Sequence, residues 1–492
     1  MKAKTGSILA ALAVAAVAAA GAADSGADVA RLTGRILGET PMIADLQEML
    51  DGIGGRLSGS PACDRAVEWA AAKFKAAGAD RVGTESFTLP NAWIPRGAEA
   101  SCVAPVAFPI RLAAAPGTAG TAGPVEAPLV DAGRGDAASW TALGTRAKGA
   151  IALVRNPEMK SLDDLFAEYM VARELLVDAG KAGVAAVLIE SSRPRGLLYR
   201  HTMTFGGEID KTPVAVIPRE QAERLLRLAS SGPVKVRVAI DNAPPAPVTS
   251  RNVVADLTGA ERPDEIVLVG AHLDSFDLGT GANDNGVSCT ELIDLARQIR
   301  ALGLKPKRTI RFALFTGEEQ GMLGSRAYAD RHAAELPKHA AALVYDIGSG
   351  RLTGFFLNGR EDLRATLDAA LGHVASLGPF VNLPDALDGT DNFDFLLHGI
   401  PNLVGFQDPA PYLPDYHAES DTFDKVDARE AKAAEAALAA VVWELANADR
   451  PLPHQSRAEV EKLIEATKLE DQMRAFGQWD DWTAGKRGVA KK

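Results

Sequence analysis

The chain has 492 residues, 47% hydrophobic and 24% charged, enough for two or three domains of about 150 residues with proper cores. That composition excludes a disordered, collagenous or coiled-coil chain. With 53 basic against 64 acidic residues the net charge is −11, so partners held by phosphate contacts, nucleic acid above all, are not expected.

Residues 1–22 read as a cleaved secretory signal peptide. Lys2 and Lys4 precede an apolar run from Ile8 to Ala20, and Ala20-Gly21-Ala22 forms a small-residue cleavage site. The run is short and Ala-rich for a membrane anchor. No later stretch reaches about 18 uncharged apolar residues, so no span is expected after cleavage. The mature protein is expected to be secreted or periplasmic.

Residues 23–115 read as the first part of the main domain. Ile43, Leu46, Met49 and Leu50, then Ala66, Trp69, Ala70 and Phe74, have helical spacing, and a strand follows over Val82 to Leu89. The runs AAAPGTAGTAGPV (113–125) and NAPPAP (242–247) mark boundaries. Residues 116–245 between them alternate short strands with helices and hold no acid-base cluster, which suggests an inserted α/β domain. From 246 to 450 near-continuous apolar strands alternate with helices. The fold class is α/β, with a mostly parallel, mixed sheet covered by helices on both faces. Residues 451–492 read as a polar helix, Ser456 to Phe476, and a frayed basic tail, a solvated appendage.

Cysteine usage adds little. Cys63, Cys102 and Cys289 form no CxxC pair and no disulfide framework. Pairing of Cys63 with Cys102 stays open, and Cys289 reads as a packed thiol.

The chain lacks GxSxG, HExxH, GxxxxGK[ST] and a strand-borne GxGxxG. What remains is a set of polar residues at strand ends. IVLVGAHLD places His272 and Asp274 just past an apolar strand, two apart and on one face. Asp274 is suited to orient the imidazole, although an H-x-D alone also fits a surface pair. Asp284 lies in the Gly-rich loop SFDLGTGANDNG, where it either caps the next helix or bridges two cations. Glu318 and Glu319 follow a fully apolar strand, at the edge where open α/β sheets bind ligands. Asp346 ends another strand, and His417 sits in the loop DYHAESDT. Two His, two Asp and a Glu supply the N and O donors that suit two Zn²⁺ per chain, leaving Glu318 as a base.

These residues lie in longer runs: RLSGS (Arg56 to Ser60), GAHLDSFDLGTGANDNG (Gly270 to Gly286), GLKPKRTIRFALFTGEEQG (Gly303 to Gly321), GTDNFDF (Gly389 to Phe395) and YHAESDT (Tyr416 to Thr422). Through them the chain resembles the co-catalytic dizinc exopeptidases of the aminopeptidase and carboxypeptidase Q (plasma glutamate carboxypeptidase) type, over roughly Ile43 to Ala446. The resemblance implies a phosphorylase/hydrolase-like zinc exopeptidase fold. KGAIALV and GKAGVAAVLIE within the inserted block match that family's protease-associated domain.

The resemblance further implies that Asp284 bridges two zincs. His272 and Asp346 would complete one site, and Glu319 and His417 the other. Glu318 would be the general base and Asp274 a supporting partner. It also implies a cis peptide after Asp284, although this chain has Asn285 where the family often has Asp. Tyr412 and Tyr416 lie near His417 and are candidates to stabilise an oxyanion. Asp391 or Asn392 is a candidate for the specificity pocket. The implied substrates are short peptides, dipeptides included, with a homodimer left open. The rival readings are a non-catalytic receptor-like scaffold, glutaminyl cyclisation at the same site, and a purely structural exported protein.

Overall fold

The computed structural model describes residues 26–409 and 411–491, so the expected signal peptide lies outside the described residues. Among the described residues three helices, 26–36, Met42–Gly52 and Pro61–Ala76, come first. The third starts cleanly because the Ser60 side chain accepts from the Cys63 N–H and Pro61 occupies the first turn.

The chain then lays down β1 (Arg81–Leu89) and leaves for β2 (Pro95–Ala104), β3 (Phe108–Ile110), β4 (Ala113–Ala114), β5 (Val125–Asp131), β6 (Ile151–Val154), β7 (Ala186–Glu190), β8 (Val214–Ile217) and β9 (Lys235–Asn242). It returns with β10 (Val248–Leu257), β11 (Arg262–His272), β12 (Arg308–Phe315), β13 (His339–Val344), β14 (Leu352–Phe356) and β15 (Asn402–Gln407). Two sheets result. The first has seven strands in the order β1-β10-β12-β11-β13-β15-β14, and the second has eight in the order β3-β2-β9-β5-β6-β7-β8-β4. In the first sheet β12, β11, β13 and β15 run parallel, while β1, β10 and β14 are antiparallel additions at the edges.

Parallel strands buried on both faces explain the unbroken apolar runs. Every residue of β12 is buried. Helices Val287–Ala301 and Ala428–Asn447 cover one face. Leu292, Ile293, Leu295 and Ile299 of the first of these are at most 1% exposed, each contributing about 1.5–3 kcal/mol by burial.

Two expectations change. The second sheet begins at Pro95, not near residue 116, because β2 pairs with β9 (Ala98↔Ile240) and β4 with β8 (Ala113↔Val216). The small residues that read as a linker there are packed, with Ala113, Ala114 and Ala115 at most 2% exposed. The C-terminal segment is also no solvated appendage. Its helices Arg457–Thr467, Leu469–Ala475 and Trp479–Thr483 bury Val460, Leu463, Ile464, Met473 and Trp482 against Phe393, Leu396 and Leu397. Arg487, in the basic tail, is buried and forms two 2.7 Å hydrogen bonds to Asp394. Cys63, Cys102 and Cys289 are all free and buried.

Candidate metal centre

The carboxyl ends of β11, β12 and β13 lie side by side, with His272 in register with Phe315 and Gly270 with Val344. His272 therefore ends β11, Glu318 and Glu319 follow β12, and Asp346 follows β13. Asp284 enters from the loop before helix Val287–Ala301, and His417 from the loop after β15. The Asp284–Asn285 peptide is cis, as the resemblance implied.

These side chains converge. His272 Nε2 lies 3.2 Å from Asp284 Oδ1 and 3.2 Å from Asp346 Oδ1. His417 Nε2 lies 3.2 Å from Asp284 Oδ2 and 3.0 Å from Glu319 Oε2. Donor atoms of His272, Asp284 and Asp346 all fall within 4.8 Å of one another, as do those of Asp284, Glu319 and His417. Asp284 belongs to both trios. Glu318 stands beside them and lines the adjoining cavity.

Both imidazoles are turned the same way. His272 Nδ1 is 2.9 Å from the Asp274 carbonyl, and His417 Nδ1 is 3.2 Å from the Arg200 carbonyl. A carbonyl only accepts, so each Nδ1 carries a proton, while Nε2 faces Asp284, donating to it when protonated and turning a lone pair toward it once that proton is lost. That is the tautomer a metal-binding histidine needs.

Asp274 thus orients His272 through its main chain. Its carboxylate is 3.8 Å from the ring and instead accepts from the Ser58 hydroxyl and from the Glu318 and Glu319 N–H groups at 3.3 and 3.4 Å. It organises the turn that carries the two glutamates. Ser58 also accepts from the Gly317 N–H at 2.7 Å. Arg56, fully buried, donates to the carbonyls of Leu273, Thr280 and Gly281 at 2.6–2.9 Å. Gly281 has φ +65°, and a Cβ there would lie 2.3 Å from Ser275 Oγ, so no other residue fits this turn.

Burial pushes Glu318 well above the ordinary carboxylate range, helped by the charges of Asp346 and Glu319 and opposed by His272. Glu319 is pushed up to about 7, again chiefly by burial. Burial would also raise Asp284, but hydrogen bonds from His272 and His417 carry it below the usual range. Burial disfavours charge on His417, yet Glu319 and Asp284 raise it to about 9.

Sequence reasoning missed four contributors. Asp421 accepts from the Asn283 and Asp284 N–H groups at 2.7 and 3.1 Å and so fixes the loop around Asp284. Thr390 donates to Asp346 Oδ2 at 2.7 Å. Tyr169, from helix Leu162–Ala182 beside the second sheet, places its hydroxyl 3.3 Å from His417 Nδ1 and 3.1 Å from the Tyr416 hydroxyl. Arg56 stood in the quoted run RLSGS without a role. Asp421 and Thr390 likewise lay inside quoted runs, so the signal was present. Nothing marked Tyr169.

Tyr412 and Tyr416 line the cavity with Glu318, Glu319, Asp346 and His417. The Tyr416 ring stacks on His417 with centroids 3.7 Å apart. Asp391 and Asn392 do not line it. Both are fully buried, and Asn392 donates to the Leu387 carbonyl at 3.1 Å. Their neighbours Gly389 and Thr390 face the cavity instead, because the chain turns into the short helix Phe393–Leu397 here.

Residues 252–442 match the model of peptidase family M28. The chain is 30% identical over 417 residues to carboxypeptidase Q of Bos taurus, covering 82% of this chain and 85% of that one. It is 31% identical over 388 residues to carboxypeptidase Q of Xenopus laevis, covering 77% and 80%. Among solved structures it resembles a peptidase M28 precursor from Shewanella amazonensis SB2B, with TM-score 0.79 and 27% identity over 88% of this chain and all of the other. The fold is also that of BSAP, a zinc aminopeptidase from Bacillus subtilis, with TM-score 0.65 and 23% identity over 82% and 93% of the two chains. The sheet, the strand-end residues and these likenesses agree: the chain belongs to peptidase family M28.

Proposed function

We propose that the protein is an exported dizinc exopeptidase that removes single residues from short peptides, dipeptides included. The observation that carries this reading is the pair of donor trios sharing Asp284. The donor set fits the metal. Each trio offers one imidazole nitrogen and carboxylate oxygens, which suits Zn²⁺. Glu319 Oε1 is buried without a hydrogen-bond partner, as expected of an oxygen meant for a cation. His272 and Asp346 would hold one ion, Glu319 and His417 the other, and Asp284 both.

Zinc, when bound, supplies Lewis acidity toward a scissile carbonyl and lowers the pKa of water. The remaining work falls to the chain. Glu318 takes the proton of the attacking water on its carboxylate and returns it to the leaving amine. Its burial suits the task, because a carboxylate raised above its ordinary range is a stronger base toward the water and can still give the proton back. Tyr412 and Tyr416, also held protonated by burial, can donate to the developing oxyanion. The N-terminal signal pattern supports export. The block from β2 to β9 corresponds in our reading to the protease-associated domain.

The test is Glu318→Gln. It should keep about two zincs per chain by elemental analysis and lose about 10²–10⁴-fold in turnover on dipeptides. Near-normal activity in this variant would assign the base elsewhere. A wild-type chain that binds zinc but cleaves no peptide would favour the scaffold reading, and one that cyclises N-terminal glutamine would favour the cyclase.

A further inference from the structure

Beyond the donor trios the cavity, about 150 Å³ in volume, is lined mainly by apolar side chains, among them Phe166, Phe205, Met322, Phe356, Phe406 and Phe476. They come from separate parts of the chain. Phe356 and Phe406 belong to the first sheet. Phe166 and Phe205 come from the block that builds the second sheet. Phe476 comes from the C-terminal segment. Phe205 and Phe476 meet edge to face, with ring centroids 4.6 Å apart. Tyr169 joins them at 5.9 and 6.3 Å. The wall is therefore continuous between the second-sheet block and the C-terminal segment.

Both aromatic residues are firmly seated. Beside Phe205, the Gly206 N–H donates to the Gln320 carbonyl at 3.0 Å, just past the two glutamates. The Phe476 N–H donates to the Gln472 carbonyl at 2.9 Å. Gln472 Oε1 accepts from the Asp388 N–H at 3.1 Å, and Gln478 Nε2 donates to Asp388 Oδ1 at 3.0 Å. This ties Phe476 to the loop whose Thr390 bonds Asp346. Tyr169, Phe205 and Phe476 all fall outside residues 252–442, the stretch matched by the family model.

We propose that Phe476, with Phe205, sets the largest side chain the cavity accepts, so that the C-terminal segment is a specificity element of the enzyme. The proposal rests on the peptidase reading above. It predicts that small and medium apolar side chains next to the scissile bond are accepted and that the largest aromatic ones are refused by a steric wall.

The experiment measures kcat/KM for two dipeptide series, X-Ala and Ala-X, with X running through Ala, Leu, Phe and Trp. In Phe476→Ala the ratio for Trp over Ala should rise by about 10-fold or more in one series and stay level in the other, the range expected when a hydrophobic pocket changes size. Phe205→Ala should shift the same series in the same direction. Phe476→Leu, which keeps an apolar side chain in place, guards against misfolding and should give a smaller rise. An equal loss for every X, or unchanged ratios, would overturn the proposal. If the wild-type chain cleaves nothing, the peptidase reading fails, and calorimetric binding of alaninol and tryptophanol decides this inference alone. Phe476→Ala must then gain affinity for tryptophanol relative to alaninol, and an unchanged ratio sinks it.

Discussion

The two sheets contribute to the site in opposite ways. The first carries the donors His272 and Asp346 at the ends of β11 and β13, which parallel register sets side by side. The block that builds the second sheet carries no member of either trio. It supplies the Arg200 carbonyl and Tyr169 hydroxyl that face His417 Nδ1, and part of the apolar wall. One half of the site is thus made by sheet geometry, and the other half leans on a separate lobe. A sheet edge gathers donors from neighbouring strands, whereas a loop residue such as His417 needs a brace from outside that sheet.

The sharpest break of that comparison is Asp284→Asn, because Asp284 serves both halves. Zinc content should fall from about two per chain to less than one, with peptidase activity falling to background. Retention of both ions would dissolve the idea of a shared carboxylate. Next come the separate halves. His417→Ala should weaken one ion and His272→Ala the other, read by stepwise chelation, and equal retention of both ions in either variant would count against the split. Thr390→Val removes the hydrogen bond to Asp346 and should cost about 10–100-fold in metal affinity at the sheet half. Tyr169→Phe should cost less than about 10-fold at the other half, since the Arg200 carbonyl still holds Nδ1.

How much of this could be read beforehand depended on the physics of each part. His272, Glu318, Glu319 and Asp346 stood out because each follows an apolar strand that reads as buried. His417 has no such flank and was visible chiefly through the resemblance. Thr390 was passed over for Asp391 and Asn392, since charge and amide draw the eye while the backbone decides which neighbour faces the cavity. The C-terminal segment misled in another way. Its many Glu, Lys and Ala suggested solvent, yet Val460, Leu463 and Ile464 recur at helical spacing and are buried. The linker-like run near residue 115 misled because small residues serve close packing as well as flexibility.

The smallest expected effect concerns pH and that same C-terminal segment. Burial raises Asp388 from 3.8 to about 7, and its carboxylate accepts from Gln478. Between these values the folded chain holds a proton that the unfolded chain has released. Stability therefore falls as pH rises through this window. Asp388→Asn should flatten part of that slope in thermal melts from pH 4 to about 8. An unchanged slope would show that the group does not titrate with folding.

The bond between His417 and Arg200 is reciprocal. The Arg200 N–H donates to the His417 carbonyl at 3.0 Å, while the Arg200 carbonyl faces the imidazole. Tyr199 and Ala418 form an antiparallel bridge alongside. One imidazole is in effect stitched into the neighbouring lobe by main chain, and the other is rooted in the central sheet. A shift of that lobe would tug on a single corner of the donor cluster, so the outline of the cavity and the placement of one imidazole are mechanically linked.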